Sequence, residues 1–259
     1  DPQRSHLMVQ AKQISYHDRD RWLGDPSYTD VPMDMLLSDM YLDKRRQLID
    51  PVNALPWDKV PSYGSLTGDT VYIAVVDAQG QAVSLIHSLY GAFGSGMVDH
   101  HTGVLLQNRS AYFSLKEDHP NALAPGKVPL HTLIASMGFK NNRLWSVMGC
   151  MGADGQPQIQ FQTYSAMLDH GLDIQQAVQA PRWLSGRFAL GEPRDTLHIE
   201  SRLGDKTLAE LAARGHLLNR WGPWNELAGH AHGITIDAGD GRRLGGADPR
   251  SDGRAVAAD

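Results

Sequence analysis

A chain of 259 residues, 41% hydrophobic and 20% charged, can bury a sizeable core as one domain or as part of a larger one. Its formal net charge of −5 gives no electrostatic reason to expect nucleic acid or an anionic membrane as partner, and its one cysteine, Cys150, excludes an internal disulfide framework. No apolar run approaches the ~20 residues of a membrane-spanning helix and residues 1–30 lack a signal-peptide layout, which leaves the compartment open between cytoplasm and periplasm.

Apolar periodicity predicts helices over 5–22 and 34–49, followed by a Pro-, Gly- and Ser-containing connector over 50–68. Two β-branched, apolar runs, 70–77 and 82–89, predict a hairpin turning at 78–81. A second hairpin is read at 130–139 with 144–148, turning at 140–143. Helices are expected at 156–169, 173–179 and 206–214, and a closing strand pair at 230–236 and 244–247 turns at Asp240-Gly241. Antiparallel hairpins with helices between them indicate a layered α+β fold.

The run Gly68-Asp-Thr-Val-Tyr-Ile-Ala-Val-Val-Asp77 sets a threonine at the head of a strand, directly after a small-residue turn. A threonine there can act as a hydroxyl nucleophile and, once the bond before it is cut, use its own freed amine as base. The other reading is a β-branched residue on a half-buried strand. No metal or other cofactor is expected. Adjacent histidines in Asp99-His100-His101 point to opposite faces of a strand, and neither that run nor His230-Ala231-His232 has zinc spacing. The glycine-rich run 91–96 lacks the lysine and following helix of a phosphate loop. Trp183, Trp221 and Trp224 read as core or interface anchors.

Four ordered segments give Thr70 a context: Ser88-Leu-Tyr-Gly-Ala-Phe-Gly-Ser-Gly96, Gly103-Val-Leu-Leu-Gln-Asn108, Pro125-Gly-Lys-Val-Pro-Leu-His-Thr132 and Gly149-Cys-Met-Gly-Ala-Asp-Gly155. With Asp169-His-Gly-Leu-Asp173, Ala180-Pro-Arg182 and Ala247-Asp-Pro-Arg-Ser251, they resemble the gamma-glutamyltranspeptidase family from Thr70 almost to the last residue. Residues 1–69, with Met40-Tyr-Leu-Asp-Lys-Arg-Arg46, look like the end of that family's large subunit; residues 70–259 look like its small catalytic subunit, the two forming part of one domain. The resemblance implies the αββα sandwich of N-terminal nucleophile hydrolases, here incomplete because most of a large subunit would lie before Asp1. A second chain, or a self-associated form, would then cover the exposed apolar surface.

The same resemblance implies roles. Thr70 matches the catalytic threonine and the Asp69–Thr70 peptide the bond broken in self-cleavage. The freed α-amine, with a reference pKa of about 7.7–8.0, suits a base near neutral pH. Ser88 matches the family hydroxyl, usually threonine, that hydrogen-bonds the nucleophile; it also reads as a strand-end serine capping the turn before Gly91. Gly152 and Ala153 match a glycine pair whose N–H groups form an oxyanion hole ahead of a helix. At the substrate positions this chain departs from transpeptidases. His131-Thr132 stands in place of a serine pair, Tyr112 in place of an acid that binds the substrate amino group, Arg109 in place of a glutamine and Tyr90 in place of an asparagine. Residues 114–129 are too short for the lid loop of many transpeptidases. An amino group without a carboxylate partner loses roughly 1.5–3 kcal/mol. Arg109 reads either as a bidentate binder of a substrate carboxylate, such as a glutaryl group, or as a solvated loop arginine.

These residues indicate a self-processing hydrolase or acylase acting on a small-molecule amide. Two other readings stand beside it: a γ-glutamyl transferase or hydrolase of glutathione-like substrates, and an unprocessed family member serving as a structural or binding module. The last is favoured by Val71, where the family usually has threonine.

Overall fold

The computed structural model describes residues 1–56, 69–188 and 193–257, so most of the expected connector lies outside the described residues. Helix α1 (Pro2–Trp22) begins where Asp1 accepts a hydrogen bond from the Gln3 N–H and Pro2 occupies the first turn. The single helix predicted over 34–49 is instead two, α2 (Met33–Leu36) and α3 (Asp39–Arg46). They break at Ser38, whose hydroxyl caps α3 by accepting from the Tyr41 N–H. The chain continues through β1 (Asp69–Val76), β2 (Ala82–Tyr90), β3 (Ser136–Lys140), β4 (Arg143–Cys150), α4 (Gln156–His170), α5 (Ile174–Gln179), β5 (Trp183–Ser185), β6 (Thr196–Glu200), α6 (Asp205–Ala213), β7 (Leu217–Trp221), β8 (Ala231–Ile236) and β9 (Arg243–Ala247).

Strands β1 and β2 form an antiparallel hairpin, and β3-β4-β8-β9 a four-stranded antiparallel sheet. The β3–β4 turn is Asn141-Asn142, both at positive φ (50° and 59°), the backbone that a two-residue hairpin demands and asparagine tolerates. Strand β3 starts only at Ser136. Ahead of it, the Ile134 backbone is held from both sides by glutamines of α4, its N–H donating to Gln156 and its carbonyl accepting from Gln160.

The hairpin lies face-on over the four-stranded sheet. Side chains alternate across a strand, so Thr70, Tyr72 and Ala74 turn inward while Val71, Ile73 and Val75 turn out. Tyr72 is 6% exposed and its ring lies flat against Gly149, where a Cβ would stand 2.4 Å from the ring carbons. Tyr72 and Ser84 share a hydroxyl contact of 2.8 Å, and Ser84 donates to the Ser136 carbonyl at 3.2 Å. On β4 the flanking Met148 and Cys150 point the other way, into a core with Ile159, Met167, Ile174 and Val178 of α4 and α5. Two β layers backed by one α layer are therefore present, the α+β arrangement that the sequence predicts. Among the described residues no helical layer covers the outer hairpin face, where Val71, Ile73, Val75, Val83 and Leu85 stand about half exposed.

A second core joins α1 and α6 to the three-stranded sheet β5-β6-β7 through Met8, Val9, Trp183, Leu197, Ile199, Leu208 and Leu211. This sheet has no counterpart among the sequence-based expectations. Trp183 and Trp221 are buried as expected, but Trp224 is 46% exposed and stacks under the Arg202 guanidinium at 3.3 Å, so it is not a core anchor. The motifs at 180–182 and 247–251 fold into one buried ion network. Arg250 pairs with Glu200 at 2.6 Å and with Asp248 at 2.9 Å, and Arg182 pairs with Asp248 at 2.9 Å.

His6 of α1 meets His216, just before β7, ring nitrogen to ring nitrogen at 2.8 Å. Burial lowers both pKa values, that of His216 to about 4, and the neighbouring Arg214 adds to the effect on each. A histidine whose folded pKa lies below its unfolded 6.5 binds fewer protons when folded, so its stabilising contribution is whole above pH 6.5 and is lost as pH falls toward 4. Replacing His216→Gln is expected to flatten the decline in urea midpoint between pH 7 and 4.5; an unchanged decline would assign the acid sensitivity to other groups.

Candidate active site

The hairpin register sets Thr70 opposite Ser88, and their hydroxyl oxygens lie 2.8 Å apart. The ladder is irregular between Asp69 and Thr70, and opposite it Tyr90 ends β2 at φ 74°. That turn of the backbone aims the Tyr90 N–H back at Ser88 Oγ, 3.0 Å away. The backbone of Asp69 begins β1; its side chain is outside the described residues.

Arg109 opens a 3-10 turn, Arg109–Tyr112, that follows the segment Gly103–Asn108. It is 7% exposed, so it is not a solvated loop arginine. Its Nη2 donates to Ser88 Oγ at 3.3 Å and its Nη1 to Thr132 Oγ1 at 3.1 Å, while the guanidinium lies 4.7 Å from the centre of the Tyr90 ring. Tyr90 and Tyr112 meet edge to face at 5.4 Å, and Tyr112 is 4% exposed. Burial lowers the Arg109 pKa, opposed by Tyr90, Tyr112 and Asp154, and burial with the Asp154 charge pushes the Tyr112 hydroxyl far up, so that it stays protonated. His131 stands at the rim, its pKa lowered by desolvation and then by the Arg109 charge. Thr70, Ser88, Tyr90, Arg109, Tyr112 and Thr132 thus form one contact group, with His131 beside it.

Gly152 and Ala153 belong to the turn between β4 and α4. Gly152 has φ 139° and Ala153 φ 44°, a left-handed backbone that costs a residue with a Cβ. Gly152 precedes and Ala153 opens the 3-10 turn Ala153–Gly155 that leads into α4, where the first helix N–H groups have no acceptor within α4 itself. Asp154, next in line, holds this turn to α1 and was not singled out by the sequence. Its carboxylate pairs with Arg19 at 2.6 Å, and its carbonyl accepts from the Tyr16 hydroxyl and from Gln158. Arg19 also lies over the Tyr16 ring at 4.2 Å and pairs with Asp20 at 2.8 Å. The chain separation of 135 residues leaves no local signal for this clamp. Among the described residues no three His, Cys, Asp or Glu side chains gather as a metal site.

The family described as gamma-glutamyltranspeptidase matches residues 1–258. The chain is 42% identical over 253 residues to a glutathione hydrolase-like YwrD proenzyme of Bacillus subtilis (strain 168), covering 97% of this chain and 46% of that protein. It is 39% identical over 256 residues to an oxamate amidohydrolase proenzyme of Klebsiella pneumoniae, covering 99% and 47%. A solved cephalosporin acylase from Bacillus halodurans superimposes with a TM-score of 0.88 at 33% identity, over 100% of this chain and 46% of that one. A gamma-glutamyltranspeptidase from Pseudomonas nitroreducens, complexed with L-DON, gives 0.62 at 28% identity over 73% of this chain and 99% of that one. The chain spans about half the length of the curated relatives it matches.

Removing the clamp should free the turn without touching Thr70. In an Arg19→Ala protein, amide hydrogen exchange at 152–156 is expected to speed up about tenfold or more, since a residue left with an unpaired buried carboxylate opens more readily. Unchanged exchange there would show that the turn is held by its own backbone.

Proposed function

The chain belongs to the gamma-glutamyltranspeptidase family, and from that premise we propose that the protein is a self-processing amidohydrolase whose nucleophile is Thr70. The observation that carries the proposal is the 2.8 Å contact between the Thr70 and Ser88 hydroxyls at the head of β1, with the buried Arg109 donating to Ser88 from the other side. Relatives named as proenzymes and as hydrolases or acylases support it.

In the first step Thr70 Oγ1 attacks the Asp69 carbonyl, the Asp69–Thr70 bond becomes an ester, and water hydrolyses that ester to an Asp69 carboxylate and a free Thr70 α-amine. In turnover the α-amine takes the hydroxyl proton as Oγ1 attacks the substrate amide. The N–H groups of Gly152 and Ala153 serve the oxyanion, a contribution of about 10²–10³ in rate for one such donor. The proton passes to the leaving amine, and water hydrolyses the acyl-threonine. Ser88 Oγ already receives the Tyr90 and Arg109 N–H groups, which fills the acceptor sites of a hydroxyl and favours Ser88 as the donor toward Thr70. Thr70 then keeps its own proton for the base.

The relatives' greater length and the half-exposed outer face of the β1–β2 hairpin support a further part of the molecule, or a second chain, packed on Val71, Ile73, Val75, Val83 and Leu85. A relative's name favours glutathione hydrolysis as a second reading. The side chains oppose it, because Tyr112 offers no charge to a substrate ammonium group.

Intact mass spectrometry and amidase assays of the full-length protein test the proposal. A fragment beginning at Thr70 is expected, and Thr70→Ala should abolish both cleavage and hydrolysis, leaving at least 10³-fold less turnover. Cleavage or full turnover in Thr70→Ala would refute the assignment.

A further inference from the structure

Among the described residues 114–129, Asn121 alone is buried, at 0% exposure. Its Nδ2 donates to the Tyr112 carbonyl at 2.7 Å, and its Oδ1 accepts from the Leu130 N–H at 2.8 Å. A carbonyl only accepts and a backbone N–H only donates, so the two partners fix which end of the carboxamide faces each. Of the side chains of this length, a carboxamide offers both functions at neutral pH. The backbone of the same residue is also engaged. Its N–H donates to His119 Nδ1 at 3.0 Å, and its carbonyl accepts from the Ser114 N–H at 2.9 Å, where Ser114 and Ala122 form an isolated bridge. The Pro120 carbonyl accepts from Thr29 at 3.0 Å and from Lys127 at 2.7 Å, and Asp25 accepts from the Val128 N–H at 2.8 Å. The segment is thus pinned on both sides of Asn121.

The bridge joins two stretches of chain that meet again at Arg109. Tyr112 ends the 3-10 turn that Arg109 opens, and Leu130 lies two residues before Thr132. Arg109 donates to Thr132 Oγ1 at 3.1 Å and to Ser88 Oγ at 3.3 Å, and Ser88 Oγ lies 2.8 Å from Thr70 Oγ1. Both arginine bonds are long for a charged donor, whose usual range is about 2.7–2.9 Å. A drift of a few tenths of an ångström between the turn and Thr132 therefore breaks one of them.

We propose that Asn121 is a positioning residue for the reaction at Thr70. By tying the Tyr112 carbonyl to the Leu130 N–H it sets the spacing between the Arg109 turn and Thr132, and through Arg109 it keeps Ser88 Oγ aimed at Thr70 Oγ1. The short segment 114–129 then serves as a spacer. The proposal rests on Thr70 being the nucleophile.

The test uses full-length Asn121→Asp and Asn121→Ala proteins. Intact mass follows the appearance of the fragment beginning at Thr70 from pH 5 to 8, each rate divided by that of the unaltered protein at the same pH. An ionised aspartate still accepts from Leu130 but turns an oxygen toward the Tyr112 carbonyl. Once protonated it donates there as the amide does, and burial raises the pH at which it takes up the proton. His119 and Lys127 beside residue 121, with Lys116, Asp118 and Asp25 in the neighbouring turns, are common to all the proteins, so the division removes their own titration. The Asn121→Asp rate is expected to fall about tenfold or more at pH 8 and to return to within about threefold of the unaltered protein at pH 5. Asn121→Ala should stay low throughout. Circular dichroism gives the folded fraction of each variant at each pH. An Asn121→Asp rate near that of the unaltered protein at pH 8, a loss that acid does not restore, or a rate ratio that equals the folded fraction at every pH would overturn the proposal. Hydrogen exchange separates the two levels of the account. Adding Asn121→Ala to a Thr70→Ala protein should speed amide exchange about tenfold or more in both 109–113 and 130–133. That result supports the spacer even where no fragment beginning at Thr70 ever forms. Unchanged exchange in either segment overturns the spacer and leaves the nucleophile to the cleavage experiment.

Discussion

A missing side chain sets the geometry of this molecule. Because Gly149 has no Cβ, the Tyr72 ring can lie on β4, and the β1–β2 hairpin rests close on the four-stranded sheet. Strand alternation carries Thr70 to the same inward side as Tyr72, two residues earlier. The same strand that supports Tyr72 runs on into the turn at Gly152 and Ala153 and then into α4. One close approach between two β layers therefore brings the strand bearing the Thr70 hydroxyl against the strand that leads into the turn before α4. A methyl group at 149 would collide with three ring carbons, so the contact leaves no room for adjustment by a few tenths of an ångström.

The second requirement is that the turn be held still, and the residues that do so come from the first helix. Arg19 and Tyr16 grip Asp154 from α1, while Met8 and Val9 anchor the same helix in the core with β5, β6 and β7. The buried network of Arg182, Glu200, Asp248 and Arg250 fixes the far end of α5 against the C-terminal segment, so α4 and α5 cannot drift from the sheet they back. Under the proposed self-cleavage, α1 would lie on one product chain and the turn on the other. The clamp would then be a contact between subunits, made of charge and hydrogen bonds that survive the loss of the covalent link.

The layers and the pocket were legible because they rest on local signals. The hairpin at 70–89, the Asn-Asn turn, α4 with its glycine entry, and α5 with Asp173 as cap are written in short-range pattern. The ordered motifs bring Thr70, Ser88, Tyr90, Arg109, Tyr112 and Thr132 to one place, and the contacts among these six could be anticipated from their shared resemblance to one family. Other features were not legible. The break between α2 and α3 turns on a single capping serine within an otherwise helical pattern. The β5-β6-β7 sheet is built from segments of three to five residues, one pair of them parallel, and such short runs carry little periodicity. The choice for Arg109 between solvent and pocket was a matter of burial, decided by the path of the chain around Thr132. The Arg19–Asp154 pair joins helix and turn across most of the chain, which composition cannot foreshadow.

A buried cation and two aromatic rings stand beside two hydroxyls in contact at the head of β1. The account stands or falls on whether Thr70 carries the acyl group of the substrate during turnover. The direct measurement is to quench the cleaved full-length protein during turnover of an amide substrate and map the peptides by mass. The account predicts a transient acyl adduct on the peptide whose first residue is Thr70. Turnover with no adduct there, or with an adduct on any other side chain, would contradict it.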